Sequence, residues 1–210
     1  MFTGIISGVG RIAAVEALGA DASHGKRLRI EAPAGYLDDV EVGDSIAING
    51  ACMTATTLST APAAFTIDVS AESLARTAGL DATGPVNLEK AMRASDRLDG
   101  HMVSGHVDGI GRVVHFAAVG ESWELRIVAP VELARFLATK GSITVNGVSL
   151  TVNRVADRSG ADAGCEFSIN LIPHTLAHTT LGTLSVGSSV NLEVDLIARY
   201  VERMLAARLS

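Results

Sequence analysis

Residues 45–54 read SIAINGACMT, and residues 142–151 read SITVNGVSLT, so one ten-residue pattern occurs twice at an offset of 97. Further matches extend outward in the same order, pairing GIISGVGR (4–11) with GHVDGIGR (105–112) and VNLE (86–89) with VNLE (190–193). A repeat of about 100 residues exceeds the roughly 20–50-residue units of solenoids and propellers. The 210-residue chain is therefore predicted to contain two copies of one domain.

Short strand-like segments dominate both halves. They are rich in β-branched and apolar residues and are bounded by Gly, Pro, Asp or Asn, as is typical of strands. The segments are 27–31, 45–48, 64–69 and 86–89 in the first half, and 123–129, 142–145, 166–171 and 190–194 in the second. Close spacing with Gly-containing turns predicts an all-β protein with one small barrel in residues 1–97 and another in 98–195. Short helical segments are predicted at 73–78 and 175–180, and at 131–140 with a counterpart around 36–40.

The last segment, 196–210, has no counterpart in the first half. Its apolar residues recur at helical spacing, which predicts an amphipathic helix. They are Ile197, Tyr200, Val201, Met204 and Leu205. Two interpretations stay open from periodicity alone: the helix joins chains into an oligomer, or it caps the core of the second barrel.

Composition excludes several classes of protein. The net charge of −6 and the absence of a basic stripe argue against a nucleic-acid partner. No apolar run reaches the ~18 residues of a membrane span, and the N-terminus does not resemble a signal peptide. Cys52 and Cys165 lie at non-equivalent positions of the repeat and in no metal-binding spacing, so we expect reduced thiols in a cytoplasmic protein.

Two apparent motifs do not predict sites. The pattern from Gly8 to Ala13 resembles a dinucleotide-binding loop but lacks the preceding strand and the following long helix. Its repetition at 109–111 indicates a bulge or bend of a barrel strand. His101 and His106 are spaced H-x4-H, but no cluster of carboxylates or cysteines supports a metal site.

Polar side chains occur at equivalent positions of both repeats. Cys52 and Thr54 correspond to Ser149 and Thr151, and strand alternation places each pair on one face. Taken singly, a free Cys is commonly a small buried hydrophobe, and Ser or Thr often bonds local backbone. Their repetition instead predicts one ligand site per barrel, each for the same kind of ligand.

Five segments give the chain a clear resemblance to the riboflavin synthase family. They are MFTGI (1–5), SGH (104–106), NGVSLTV (146–152), LIPHTL (171–176) and LIARYVER (196–203). The resemblance implies two six-stranded antiparallel β-barrels and a C-terminal helix that gathers three chains into a homotrimer. It also implies transfer of a four-carbon unit between two molecules of 6,7-dimethyl-8-ribityllumazine, giving riboflavin and 5-amino-6-ribitylaminouracil without metal or organic cofactor. The reacting pair would meet between the first barrel of one chain and the second barrel of its neighbour. Association with lumazine synthase is left open.

The resemblance implies site residues position by position. The first-barrel substrate site would comprise Gly4, Ile5, Ile6, Cys52, Met53, Thr54, Asp68, Val69, Ser70, Ala71, Glu72, Ser73, Gly105, His106 and Val107. The second-barrel site would comprise Lys140, Ser149, Leu150, Thr151, Asn170, Leu171, Ile172, Pro173, His174 and Thr175. Residues implied in activity are Phe2, Ser45, Cys52, His106, Asn146, Ser149, Thr151 and Asp195. Asn146 stands where some members of the family carry Asp, which argues against its acting as a base.

Two other functions are compatible with a repeated barrel. One is a non-catalytic lumazine- or flavin-binding protein, in whose known examples the second pocket has decayed. The other is a paired-barrel interaction module without ligand, which leaves the repeated polar pairs unexplained. Both pairs are intact here, which favours the enzyme.

Overall fold

The computed structural model describes residues 1–21, 23–158 and 164–209, with the side chains of 207–209 left aside. Two sheets with the same topology follow one another along the chain. The first contains β1 (Gly8–Ala17), β2 (Lys26–Glu31), β3 (Ser45–Ile48), β4 (Ala51–Thr54), β5 (Thr57–Thr60), β6 (Ala63–Val69) and β7 (Gly84–Lys90). The second contains β8 (Gly109–Val119), β9 (Ser122–Ala129), β10 (Ser142–Val145), β11 (Val148–Thr151), β12 (Arg154–Arg158), β13 (Gly164–Leu171) and β14 (Ser189–Val194).

The strand orders are β4-β3-β7-β1-β2-β6-β5 and β11-β10-β14-β8-β9-β13-β12, with antiparallel neighbours throughout. The two outermost strands of each sheet are consecutive in the chain. Thr54 pairs with β3, and two residues later the amide of Thr56 donates to Thr66 O at 2.8 Å in β6. The chain thus changes partners at Ala55–Thr56 and bends each sheet into a barrel. We call β1–β7 the first barrel and β8–β14 the second.

The all-β fold with two repeated barrels is confirmed. Each barrel has seven strands where the resemblance implies six, because the change of partner divides one bent segment into two strands. The helices are α1 (Ala71–Arg76), α2 (Pro173–His178) and α3 (Leu196–Leu209), with 3₁₀ helices at Val131–Phe136 and Thr180–Thr183. The predicted helix at 36–40 is wrong, since these residues form turns.

Each barrel surrounds its own apolar core, because alternate residues of every strand face inward. Leu28 and Ile30 of β2 and Leu125 and Ile127 of β9 are fully buried. The predicted irregularity of the first strand is present just after the glycines, as register shifts between Ile12 and Ala14 and at the equivalent place in β8. The twofold repeat in sequence is therefore a repeat of barrel architecture.

The C-terminal helix α3 leaves its apolar residues in solvent. Tyr200 and Met204 are each 62% exposed, and Ile197 is 58% exposed. The opposite face of the helix forms an ion pair with the residue just ahead of β8, since Arg199 Nη2 lies 2.6 Å from Asp108 Oδ1. The apolar stripe therefore does not cap the core of the second barrel. No helix in the described part of the chain is long and apolar enough to cross a membrane.

Candidate functional site

Two short strips of chain cross between the barrels. The first strip is residues 2–6, ahead of the first barrel, and the second strip is residues 103–107, ahead of the second barrel. Phe2 and Val103 pair reciprocally, with Phe2 N donating to Val103 O at 2.8 Å and Val103 N donating to Phe2 O at 3.1 Å. Beyond this bridge each strip runs onto the other barrel, so each barrel contributes backbone to its partner.

Each strip forms a backbone hydrogen bond with one of the repeated polar positions, Cys52 or Ser149. Gly105 O accepts a hydrogen bond from Cys52 N at 2.8 Å, and Gly4 O accepts one from Ser149 N at 2.7 Å. Both glycines have positive φ, +78° and +77°. A Cβ at Gly105 would lie 2.7 Å from Cys52 Cβ, and one at Gly4 would lie 2.6 Å from Ser149 Cβ. Only glycine permits this approach.

The second strip, β4 and α1 line a cavity of the first barrel. Its volume is about 190 Å³. It is lined by Ala51, Cys52, Met53, Glu72, Ser73, Arg76, Thr77, Gly105, His106 and Val107. Seven of these ten were implied by the resemblance, and α1 supplies the wall opposite the second strip. Ala51, Arg76 and Thr77 were missed, although Arg76 and Thr77 fall in the helical segment predicted at 73–78.

Several implied first-barrel residues have other surroundings. Asp68 forms a two-bond ion pair with Arg27, whose hydrogen bonds lower the pKa of the carboxyl. Ser70 caps α1 by accepting from Ser73 N at 3.1 Å, and Val69 is buried in the barrel core. Ala71 lines a different cavity beside the β1–β2 hairpin, and Thr54 is exposed at the end of β4. None of these five implied residues lines the cavity around Cys52.

The structure places residues 4 and 6 of the first strip beside the second barrel rather than the first. Gly4 lies against Ser149 of the second barrel, and Ile6 packs on the second hydrophobic core. Conversely, Val107 packs on the first core. The crossing of the strips explains this difference from the sequence-based expectation, because the sequence position of a strip does not reveal which barrel it contacts.

Except for Lys140, the implied second-barrel residues lie on β11, on β13 and in the loop and helix α2 that follow it. Leu150 packs on the second core, Thr151 is exposed at the end of β11, and Leu171 is fully buried. Asn170 Oδ1 accepts from Ser122 Oγ at 2.8 Å. Of the loop and helix residues, Ile172, Pro173 and His174 are exposed and Thr175 is half-buried. Lys140 is exposed and has a left-handed backbone with φ of 69°, which is strained for a non-glycine residue.

His101 is a candidate site residue that the sequence patterns did not indicate. Its Nδ1 lies 2.7 Å from Ser149 Oγ, and its Nε2 is buried without a hydrogen-bond partner in the described chain. Burial lowers the pKa of His101, while the nearby charge of Asp195 opposes that shift. Its only sequence signal was the spacing to His106, and among the described residues no cluster of His, Cys, Asp or Glu could hold a metal ion. The imidazole of His101 is therefore placed to exchange a proton with the hydroxyl of Ser149.

Asn146 lies at the junction of the barrels. Its Oδ1 accepts from Asn191 N at 2.8 Å, while Asn191 Nδ2 donates to Asn49 O at 2.9 Å. The equivalent pair repeats this pattern, with Asn49 Oδ1 accepting from Asn87 N and Asn87 Nδ2 donating to Asn146 O, both at 2.9 Å. The four asparagines hold the two barrels together around an approximate twofold relation, so Asn146 has a structural role here.

The other residues implied in activity are distributed around the strips. Phe2 is fully buried and supports Gly105 and Cys52 from behind. Ser45 lines a separate cavity of about 600 Å³ that also contains Lys90 and Arg93. Asp195 accepts from Ile197 N at 2.9 Å at the start of α3.

A comparison with protein families matches residues 3–91 and 104–195 to the lumazine binding domain, in two copies. The riboflavin synthase of Mycobacterium tuberculosis H37Rv is 45% identical over 208 residues, covering 98% of this chain and 98% of that protein. The riboflavin synthase of Photobacterium phosphoreum is 42% identical over 207 residues, covering 98% and 89% respectively.

The fold is also similar to solved structures of LumP. LumP complexed with 6,7-dimethyl-8-(1'-D-ribityl) lumazine gives a TM-score of 0.77 at 26% identity, covering 92% of this chain and 99% of that one. LumP complexed with riboflavin gives a TM-score of 0.76 at 27% identity with the same coverage.

Proposed function

We propose a reaction mechanism from the premise that this chain belongs to the riboflavin synthase family of lumazine-binding proteins. The chain is an enzyme of that family. Its substrate is 6,7-dimethyl-8-ribityllumazine; one molecule transfers a four-carbon unit to a second, so that the acceptor becomes riboflavin and the donor becomes 5-amino-6-ribitylaminouracil.

The observation that carries this proposal is the matched pair of contacts that the two strips make, one with each barrel. A reaction between two identical molecules needs two related pockets, and Cys52 beside Gly105 repeats Ser149 beside Gly4 with nearly equal distances. Holding both substrates in a reactive orientation can supply roughly 7–11 kcal/mol of a bimolecular barrier.

The size of the first-barrel cavity supports a site shared between chains. About 190 Å³ is less than the roughly 300–1,000 Å³ of usual ligand pockets, so one chain gives an incomplete enclosure. The exposed apolar stripe of α3 offers a surface for association. We therefore propose a homotrimer in which the first barrel of one chain faces the second barrel of its neighbour. A cytoplasmic location is also proposed, on the ground of the free cysteines Cys52 and Cys165.

The chemistry proposed for the chain is proton transfer and activation of a nucleophile. The C7 methyl of one lumazine loses a proton to form an anion delocalised over the ring, and the other lumazine accepts a nucleophile at C7. Ser149 is hydrogen-bonded to a neutral His101 and is therefore suited to supply the nucleophile that adds to C7 of the accepting lumazine. His106, exposed beside Cys52 in the first-barrel cavity, is suited to proton transfer.

Incubation of the purified protein with the lumazine alone tests the function. We expect one riboflavin for every two lumazine molecules consumed, measured by absorbance and chromatography. The Ser149→Ala variant serves as the low-activity comparison and His24→Gln, in an exposed turn, as the matched control. Tight binding of lumazine without formation of riboflavin would contradict the enzyme and indicate a ligand-binding protein.

A further inference from the structure

Two buried glutamates lie at equivalent positions near the ends of the last strands of the barrels. Glu89 in β7 is 5% exposed, and Glu193 in β14 is 3% exposed. A buried carboxylate is costly unless hydrogen-bond donors satisfy its oxygens. The partners of these two groups are therefore informative.

Each glutamate accepts three hydrogen bonds from the strip that leads into its own barrel. Glu193 accepts from Ser104 N at 2.7 Å, Ser104 Oγ at 2.6 Å and Gly105 N at 3.0 Å. Glu89 accepts from Thr3 N at 2.7 Å, Thr3 Oγ1 at 2.7 Å and Gly4 N at 3.0 Å. The corresponding distances in the two arrangements agree within 0.1 Å. Neither glutamate lines the cavity around Cys52, and Glu89 lines the separate cavity of about 600 Å³ that also contains Ser45.

The strip that each glutamate fixes serves the opposite barrel. Glu193 belongs to the second barrel, but the strip it holds places Gly105 O on Cys52 N of the first barrel. Glu89 belongs to the first barrel, but the strip it holds places Gly4 O on Ser149 N of the second. In each case the carboxylate is linked to a repeated polar position of the opposite barrel, Cys52 or Ser149, through a single glycine residue.

We propose that Glu89 and Glu193 are positioning residues that each set the substrate-contacting strip in the pocket of the opposite barrel. The proposal rests on the proposed function in taking both strips as walls of substrate sites. It predicts a crossed dependence, in which a change at Glu193 affects the first-barrel pocket and a change at Glu89 affects the second. A general structural role would not produce this selectivity.

The thiol of Cys52 reports on the first-barrel pocket without requiring turnover. Cys52 is partly exposed, whereas Cys165 is fully buried and burial raises its pKa to about 11. Alkylation by iodoacetamide, followed at the Cys52 peptide by mass spectrometry, therefore measures how closely the second strip covers β4. The Cys52→Ser variant identifies the reactive thiol.

Replacement by glutamine removes one accepting oxygen from either site without changing its size. We expect Glu193→Gln to accelerate alkylation of Cys52 about 10-fold, the size expected from a buried donor left unpaired, while Glu89→Gln stays near the wild-type rate. Binding of 6,7-dimethyl-8-ribityllumazine should weaken at one of two sites in each variant. Glu121→Gln, an exposed change in the β8–β9 turn, is the matched control and should alter neither quantity.

Equal effects of Glu193→Gln and Glu89→Gln on Cys52, or no effect of either, would overturn the crossed assignment. If Glu193→Gln does not fold, Ser104→Ala can replace it, because it removes only the hydroxyl that donates to Glu193 at 2.6 Å. Its effect is measured in the same way, by the alkylation rate of Cys52 and by lumazine binding. A wild-type protein that forms no riboflavin would refute the proposed function, whereas the alkylation rates refute or support the positioning role independently.

Discussion

Nδ1 of His101 lies 2.7 Å from Oγ of Ser149, although the two residues come from different segments of the chain. His101 precedes the second strip, and Ser149 lies in β11. Burial lowers the pKa of the imidazole below its ordinary value, so the neutral ring is favoured at neutral pH. A neutral ring can accept the serine proton, which a protonated ring cannot do.

We expect His101→Gln to lower kcat by about 10²-fold or more, because the serine hydroxyl loses its base. As pH falls through the lowered pKa of His101, the wild-type ring becomes protonated and activity declines on the acid side. That acid limb should disappear in the variant. Steady-state rates measured across pH test this, with His115→Gln as control. Retention of the acid limb in His101→Gln would assign it to another group.

Because the second strip approaches β4 closely, we predict that Gly105→Ala lowers the free energy of unfolding for two separable reasons. A positive φ costs a non-glycine residue about 1 kcal/mol, and the clash with Cys52 adds roughly 1–3 kcal/mol. Gly43→Ala is the control, since Gly43 has φ of +101° with nothing within 4 Å of an added Cβ. Urea unfolding should show Gly105→Ala to be clearly less stable than Gly43→Ala. Equal losses would mean that the contact with Cys52 contributes nothing.

The repeated barrels and the polar positions could be predicted because they depend on local patterns. Cys52 and Ser149 were found from the repeat, since alternation along a strand fixes which side chains share a face. The crossing of the strips could not be predicted, because it depends on which barrel Gly4 and Gly105 contact across the junction. His101 was missed for the same reason, having no counterpart in the first half and a partner 48 residues away.

The apolar stripe of α3 predicts the oligomeric state. Met204 is 62% exposed, and a charge there would have to be buried in an interface formed by this face. We expect Met204→Glu to give monomers by light scattering, with little turnover because the reacting pair is proposed to span two chains. Val42→Glu is a matched control, since Val42 is 63% exposed and lies outside α3. A monomeric Met204→Glu protein with full activity would exclude the shared site.

Glu193 predicts a pH dependence of stability. Burial raises the pKa of its carboxyl above 4.5, with Asp108 adding to the rise, while the bonds from Ser104 and Gly105 oppose it. The folded state therefore holds the proton more tightly than the unfolded chain. The contribution of the protonated Glu193 carboxyl to the free energy of unfolding is therefore fully present below about pH 4.5. It is lost as pH rises through the pKa of Glu193 in the folded state.

Glutamine at this position does not titrate. We expect the difference in free energy of unfolding between the wild type and Glu193→Gln to shift against the wild type as pH rises through that window. Urea titrations at several pH values measure it. Comparison of the two proteins cancels the carboxyls with lowered pKa, such as Asp39 and Asp68, whose stability is instead lost at acid pH. A pH-independent difference would contradict the raised pKa.

His106 is the group in the first-barrel cavity for which we predict a role in proton transfer. It is exposed, follows Gly105 in the second strip and lines the same cavity as Cys52 and Arg76. Its counterpart in the first strip is Ile5, so only one of the two equivalent positions carries a titratable group. This difference would let two similar pockets treat identical substrates differently, one exchanging protons and the other holding its ligand for attack.

Glutamine keeps the size and polarity of His106 but cannot exchange the proton. We expect His106→Gln to lower kcat by about 10²–10⁴-fold while lumazine affinity changes little, because loss of general acid–base catalysis acts on the transition state. Stopped-flow turnover and fluorescence titration separate the two quantities, and His24→Gln should behave as wild type. A variant with near-normal kcat and an unchanged pH–rate profile would leave His106 a wall of the cavity, with orientation and the acidity of the substrate itself carrying the reaction.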